Sequence, residues 1–292
     1  MTKKHLVTAF SVLVAVTLAL RLFLQLSEID QYYGFYYSNP VSDAWGLGFL
    51  ALLLLGTAGI AYVVWRIKPA DAPPALLQNR LLALCQIALG LIAEVGAYLT
   101  GFNVMMAIFG GYRVSIADAA ISGLTILAGL VLIVLGLSTL SGKNAGSLFS
   151  AIVVVAFMAL TLVTTFMYYP IVFNVSDNML HILTLTAATA FFMYYFKVLV
   201  GVGSQKDTVL TAVLGLLTAY FAVTLVIPRW FIIATQGINA FVPSVSKDDL
   251  LMAAALGLTG LIAALSLLQS APAATAPAPV EDAGQEDGNA AI

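Results

Sequence analysis

An all-α, polytopic integral membrane protein of eight transmembrane helices, with the outline of a 4+4 parallel repeat, is the fold class this sequence predicts. Three observations lead to it. Of 292 residues, 61% are hydrophobic and 9% charged, against about 25% charged in an ordinary soluble domain. The apolar residues gather in runs of the roughly 20 residues that a helix needs to cross about 30 Å of hydrocarbon. These runs are continuous and rich in leucine and alanine, whereas a membrane β-barrel shows segments of about 10 residues that alternate in polarity.

The chain opens on Lys3, Lys4 and His5, and its first span covers residues 6–26, interrupted by Arg21 and Gln25. The run is longer than the usual apolar core of about 7 to 15 residues in a signal peptide. No small-x-small cleavage site precedes Ser27, so an uncleaved anchor is expected. Next comes an acidic, tyrosine-rich loop without lysine or arginine, holding Glu28, Asp30, Tyr32, Tyr33, Phe35, Tyr36, Tyr37 and Asp43. Such a cluster is expected to lie as an aromatic belt at the headgroups. The alternative is a cap over an external pocket for a cationic or aromatic ligand, with Tyr36, Asp43, Asp177 and His181 as its contacts.

The second span, 45–65, ends in Arg66 and Lys68, and a loop with Pro69, Pro73 and Pro74 leads to Arg80. The third span, 81–100, carries Gln86 and Glu94. Residues 101–118, broken by Gly110 and Gly111, are read as an outer loop with an interfacial or re-entrant turn, since irregular backbone is not satisfied in lipid. The fourth span, 119–140, passes through a turn at 141–146 into the fifth, 148–169. Pro170 and a polar run at 174–178 precede the sixth, 179–202, with His181 near its outer end and Lys197 near its inner end. After a polar turn at 203–207 the seventh span, 208–227, is expected to stop at Pro228, which removes a donor and disfavours a helical residue before it. A loop at 229–248 leads to the eighth span, 249–268. Residues 1–269 thus form one transmembrane domain. Residues 270–292, proline, alanine and acid, cannot bury a core and are expected to be a disordered cytoplasmic tail.

Eight crossings put both termini on one side. With that side cytoplasmic, the inner segments hold Lys3, Lys4, Arg66, Lys68, Arg80, Lys143, Lys197 and Lys206, and the outer segments only Arg113, Arg229 and Lys247. The positive-inside rule therefore places both termini in the cytoplasm and the protein in a cell membrane. Short loops without soluble domains fit a bacterial inner membrane.

The two halves share weak features. Asn39-Pro40-Val41-Ser42-Asp43 parallels Asn174-Val175-Ser176-Asp177, and the pairs Tyr36-Tyr37 and Tyr168-Tyr169 precede them. Trp65-Arg66 and Tyr195-Phe196-Lys197 end the following spans. Parallel repeats of this kind occur in transporters with the substrate between the halves. Interfacial tyrosines and basic inner ends are also what any membrane protein carries.

Charges inside a membrane cost roughly 2.5 to 3.5 kcal/mol on insertion scales, so they pair or face water. Arg21 lies about 24 Å, and Glu94 about 21 Å, from the inner starts of their spans at 1.5 Å per residue. This shared depth predicts a salt bridge between them, with Gln25 one turn above Arg21. The alternatives are an Arg21 that snorkels to the interface and a Glu94 that lines water as a protonatable site. His181 is expected to be an interfacial histidine capped by its neighbours, the other reading being a pH sensor. Small residues form stripes at Ala253, Gly257, Gly260 and Ala264 of the eighth span and at Ser122, Thr125, Gly129 and Gly136 of the fourth. Such stripes let helices approach closely, within the chain or across a homo-oligomer or membrane partner.

Composition narrows the function classes. A net charge of -2 without a basic patch makes nucleic acid an unsuitable partner. Cys85 is the only cysteine, and His5 and His181 fall on opposite sides of the predicted topology. No thiolate metal cluster, two-histidine haem site or other cofactor is therefore expected. The intramembrane polar set of Arg21, Gln25, Gln86 and Glu94 points to transport of a small solute or ion. A non-enzymatic scaffold or regulatory subunit is the first alternative, and an enzyme acting on lipid-linked substrates the second. Enzymatic chemistry usually needs clustered acids, histidines or metal ligands, and here they are isolated.

Overall fold

The structure, a computed structural model, describes residues 3–29, 36–67, 76, 79–110, 116–144, 146–168, 176–236 and 245–269. Among these residues lie eight helices: α1 (Lys3–Ser27), α2 (Pro40–Ile67), α3 (Arg80–Phe109), α4 (Ile116–Leu140), α5 (Leu148–Tyr168), α6 (Ser176–Val200), α7 (Gln205–Gln236) and α8 (Lys247–Gln269). Each contains a segment long and apolar enough to cross a membrane, and the chain is a polytopic all-helical membrane protein. The expected tail at 270–292, the aromatics Tyr32, Tyr33 and Phe35, and Arg113 fall outside the described residues.

Polar side chains fix where several helices begin. Asn79 Oδ1 accepts from the amides of Leu81 and Leu82 at the start of α3. Ser204 with Asp207 and Ser246 with Asp249 form reciprocal caps on α7 and α8, each satisfying amides that a first turn leaves open. At the other end, α4 and α6 close on glycines with φ of +69° at Gly142 and +83° at Gly201. The following amides, Lys143 and Val202, reach back to Ser138 O and Lys197 O, and a side chain at either glycine is disfavoured in that left-handed backbone.

Two predicted boundaries are corrected. Residues 101–109, expected in an outer loop with an interfacial or re-entrant turn, continue α3 to Phe109, because one glycine at 101 weakens a helix by only about 1 kcal/mol and does not stop it. Residues 111–115 lie outside the description. Pro228 does not end α7, which runs on to Gln236. A membrane helix tolerates proline when its surroundings hold the freed backbone, and the next residue, Arg229, is only 1% exposed and anchored by an ion pair. Arg229 therefore belongs to the span and not to the loop at 229–248.

The core is organised around α7, of whose span 78% is buried, against 17% in α1. It packs on α6, α8, α1 and α2, while α3 packs on α4 and α8. Two helix pairs touch backbone to backbone. A Cβ on Gly90 of α3 would stand 2.7 Å from Gly129 O of α4, and one on Gly215 of α7 would stand 2.5 Å from Gly260 O of α8. Of the two uses expected for the small-residue stripes of α4 and α8, packing within the chain is the one seen at Gly129 and Gly136, and at Gly257 and Gly260.

The two close pairs also share a register. Gly90 and Gly215 each stand ten residues past the first residue of their helix, and Gly129 and Gly260 each thirteen. Asn79 and Ser204 cap α3 and α7 from the same relative position. The α3–α4 and α7–α8 hairpins thus place their close glycine contacts at the same register. The correspondence stops at their neighbours, since α6 lies along α7 whereas α2 packs on α1 and α7.

Candidate functional site

Thr17, Arg21 and Gln25 follow at intervals of four along α1, which puts them on one helical face. All three are buried, Arg21 fully. This face meets α6 and α7. Arg21 Nη2 donates to Asp177 Oδ1, and Gln25 Nε2 donates to the same oxygen at 3.0 Å. Arg229 Nη1 of α7 donates to Asp177 Oδ2 at 3.1 Å. Three helices thus meet at one carboxylate, and the centroid of the Phe49 ring, from α2, lies 5.4 Å from the Arg21 guanidinium carbon. Asp177 stands in the first turn of α6, where the helix dipole favours an anion.

Asp177 and His181, considered above as external contacts, are both 3% exposed and sit inside the bundle. The acid whose charge acts on His181 is Asp249, at the start of α8. Tyr36 packs over Gly46 and joins Ile29 in an isolated antiparallel bridge. Asp43 is exposed in the first turn of α2. Beside it, Ser42 Oγ donates to Glu28 Oε2, tying α2 to the end of α1.

The predicted Arg21–Glu94 bridge is not formed. Arg21 pairs with Asp177, and Glu94 has no ion pair among the described residues. Equal depth leaves lateral position open: α1 packs on α2 and α7, and α3 on α4 and α8. Glu94 is half-buried in the α3–α4 seam. Its Oε1 is shielded from solvent without a hydrogen-bond partner, and it lies so close to Gly129 that a Cβ there would stand 2.6 Å from it.

Gln86, the fourth predicted polar residue, is fully buried and donates through Nε2 to Tyr195 OH at 2.6 Å, joining α3 to α6. Arg21, Gln25 and Asp177 are thus brought together, while Gln86 and Glu94 occupy separate surroundings. The sequence alone does not reveal Arg229 as a site residue, because Pro228 before it predicts a helix terminus. The apolar run Trp230-Phe231-Ile232-Ile233-Ala234 beyond it was the available sign that the helix continues. Among the described residues no group of three His, Cys, Asp or Glu is placed to hold a metal ion. Comparisons of the chain with protein-family models, curated proteins and solved structures find no match.

Proposed function

We propose that this membrane protein moves a small solute or ion across the bilayer and that Glu94 takes up and releases the coupled proton. The observation that carries the reading is the Glu94 carboxylate, about 21 Å along α3 from Arg80, pressed against the Gly129 backbone with no ion-pair partner among the described residues. Ionisable groups at such depths lie on ion or proton pathways as a rule. The matched glycine register of the α3–α4 and α7–α8 hairpins supports the same reading, since transporters are often built from repeats. In it the Arg21–Asp177–Arg229 cluster is a tie between α1 and the α6–α7 pair, the termini face the cytoplasm, and the membrane is a bacterial inner membrane.

The test is a proteoliposome assay with a trapped pH-sensitive dye and an imposed potassium-valinomycin potential. Wild-type protein should acidify the lumen faster than protein-free vesicles, and Glu94→Gln should remove that excess at unchanged protein incorporation. Equal rates for wild type and empty vesicles would overturn the proposal. A second reading, a membrane subunit that holds a partner, draws on one feature. At its far end α3 carries exposed Phe102, Met105, Met106 and Phe109, an apolar surface suited to another membrane protein.

A further inference from the structure

Between α1 and α2 the bundle leaves an apolar groove of about 250 Å³, lined by Leu6, Phe10 and Leu13 on one side and Gly56, Gly59 and Val63 on the other. That is below the roughly 300 Å³ at which pockets begin to accept drug-sized molecules, and it suits one unbranched chain. Its α1 wall, Leu6 to Leu13, rises about 10 Å, and the facing stretch of its α2 wall, from Gly56 to Val63, rises about 10 Å as well, roughly two-thirds of one leaflet of hydrocarbon. The floor is closed at Gly56, where an added Cβ would stand 2.7 Å from Tyr220 OH. That hydroxyl is held 3.0 Å from Thr17 Oγ1.

Beyond the other end of the groove the sequence of both helices is basic. Three residues past Val63, Arg66 is exposed, its Nε donating to Tyr62 OH at 3.2 Å and its guanidinium carbon 5.5 Å from the Tyr62 ring centroid. On the α1 side, Leu6 directly follows Lys3-Lys4-His5, and neither the first turn of α1 nor the last turn of α2 carries an acid. A greasy slot about two-thirds of a leaflet long, closed at its floor and followed by basic residues at its mouth, suits the upper part of an acyl chain on an anionic headgroup. We propose that this groove holds an acyl chain of an anionic glycerophospholipid whose phosphate meets Arg66.

Native mass spectrometry of the detergent-purified full chain with equimolar phosphatidylglycerol and phosphatidylcholine tests it. Wild type should retain phosphatidylglycerol about fivefold over phosphatidylcholine, the factor that one basic residue beside an anionic headgroup contributes. Arg66→Gln should bring the two lipids level. Gly59→Phe should lose both, because a Cβ at Gly59 meets nothing within 4 Å and the ring can fill the slot without displacing backbone. Ala9→Phe fills it from the α1 wall and should act alike, with unchanged melting as the check on folding. The proposal is overturned if wild type binds the two lipids equally, if both filling variants retain lipid as wild type does, or if they instead dissolve a dimer that carries no lipid.

Discussion

Asp177 Oδ2 accepts from Arg229 Nη1 at 3.1 Å, across the α6–α7 packing, while the other oxygen of the same carboxylate serves Arg21 and Gln25 of α1. One acid thereby holds three helices at a common level. Its removal leaves two buried guanidinium groups within each other's field, and breaking a buried pair from one side costs about 3–5 kcal/mol. Asp177→Leu is therefore expected to be the most damaging single change in the cluster. The triple change Arg21→Leu, Asp177→Leu, Arg229→Leu should melt closer to wild type than Asp177→Leu alone, as read by thermal unfolding in detergent. A triple variant less stable than Asp177→Leu would show that charge is not what the cluster contributes.

Arg21 and Glu94 share a depth but no contact, so their removal should be independent. The free-energy changes of Arg21→Leu and Glu94→Leu are expected to add within about 0.5 kcal/mol in the double variant. Asp177→Leu with Arg21→Leu should deviate from additivity by more than that. The measurement is a pair of double-mutant cycles under one set of unfolding conditions, and strong coupling between Arg21 and Glu94 would contradict the packing described above.

These two pairs show what was legible in the chain. Hydropathy located all eight helices because crossing length is a property of each segment alone. The costly polar residues Arg21, Gln25, Gln86 and Glu94 stood out for the same reason. Their partners did not, because depth along a helix can be counted from the sequence while the angle at which one helix meets another is set by side-chain packing. Asp177 reads in the sequence as an external contact and not as a buried partner, and Arg229 is hidden by Pro228, whose local preference is overridden once the surrounding helices hold the chain. The Gly90–Gly129 and Gly215–Gly260 contacts were half-visible: the stripes on α4 and α8 were seen, and their partners on α3 and α7 were not.

Those glycine contacts make a matched prediction. An added Cβ would stand 2.7 Å from a carbonyl oxygen of the facing helix at Gly90 and 2.5 Å at Gly215, so neither hairpin can accept a methyl group without moving apart. Gly90→Ala and Gly215→Ala should each cost about 1–3 kcal/mol, the range for overpacking a filled interior. Gly48→Ala, where a Cβ meets nothing within 4 Å, is the control and should be neutral or slightly stabilising, since alanine is the better helix former. Melting in detergent separates the outcomes, and a neutral Gly90→Ala would argue against equivalent hairpins.

Tyr220 and Thr17 give the last prediction. Their hydroxyls lie 3.0 Å apart between α7 and α1, and Thr17 also donates to Leu13 O at 2.8 Å. With its own proton committed to that carbonyl, Thr17 is left as acceptor and Tyr220 as donor across the interface. Tyr220→Phe removes the donor but keeps the ring that fills the space beside Gly56. The loss should be close to the average of about 0.6 kcal/mol found for hydrogen bonds between membrane helices. Thr17→Val removes the acceptor, and the double variant should cost no more than the larger single change. If the two losses add in full, the hydroxyls do not bond to each other, and what joins α1 to α7 is the Asp177 cluster and apolar packing alone.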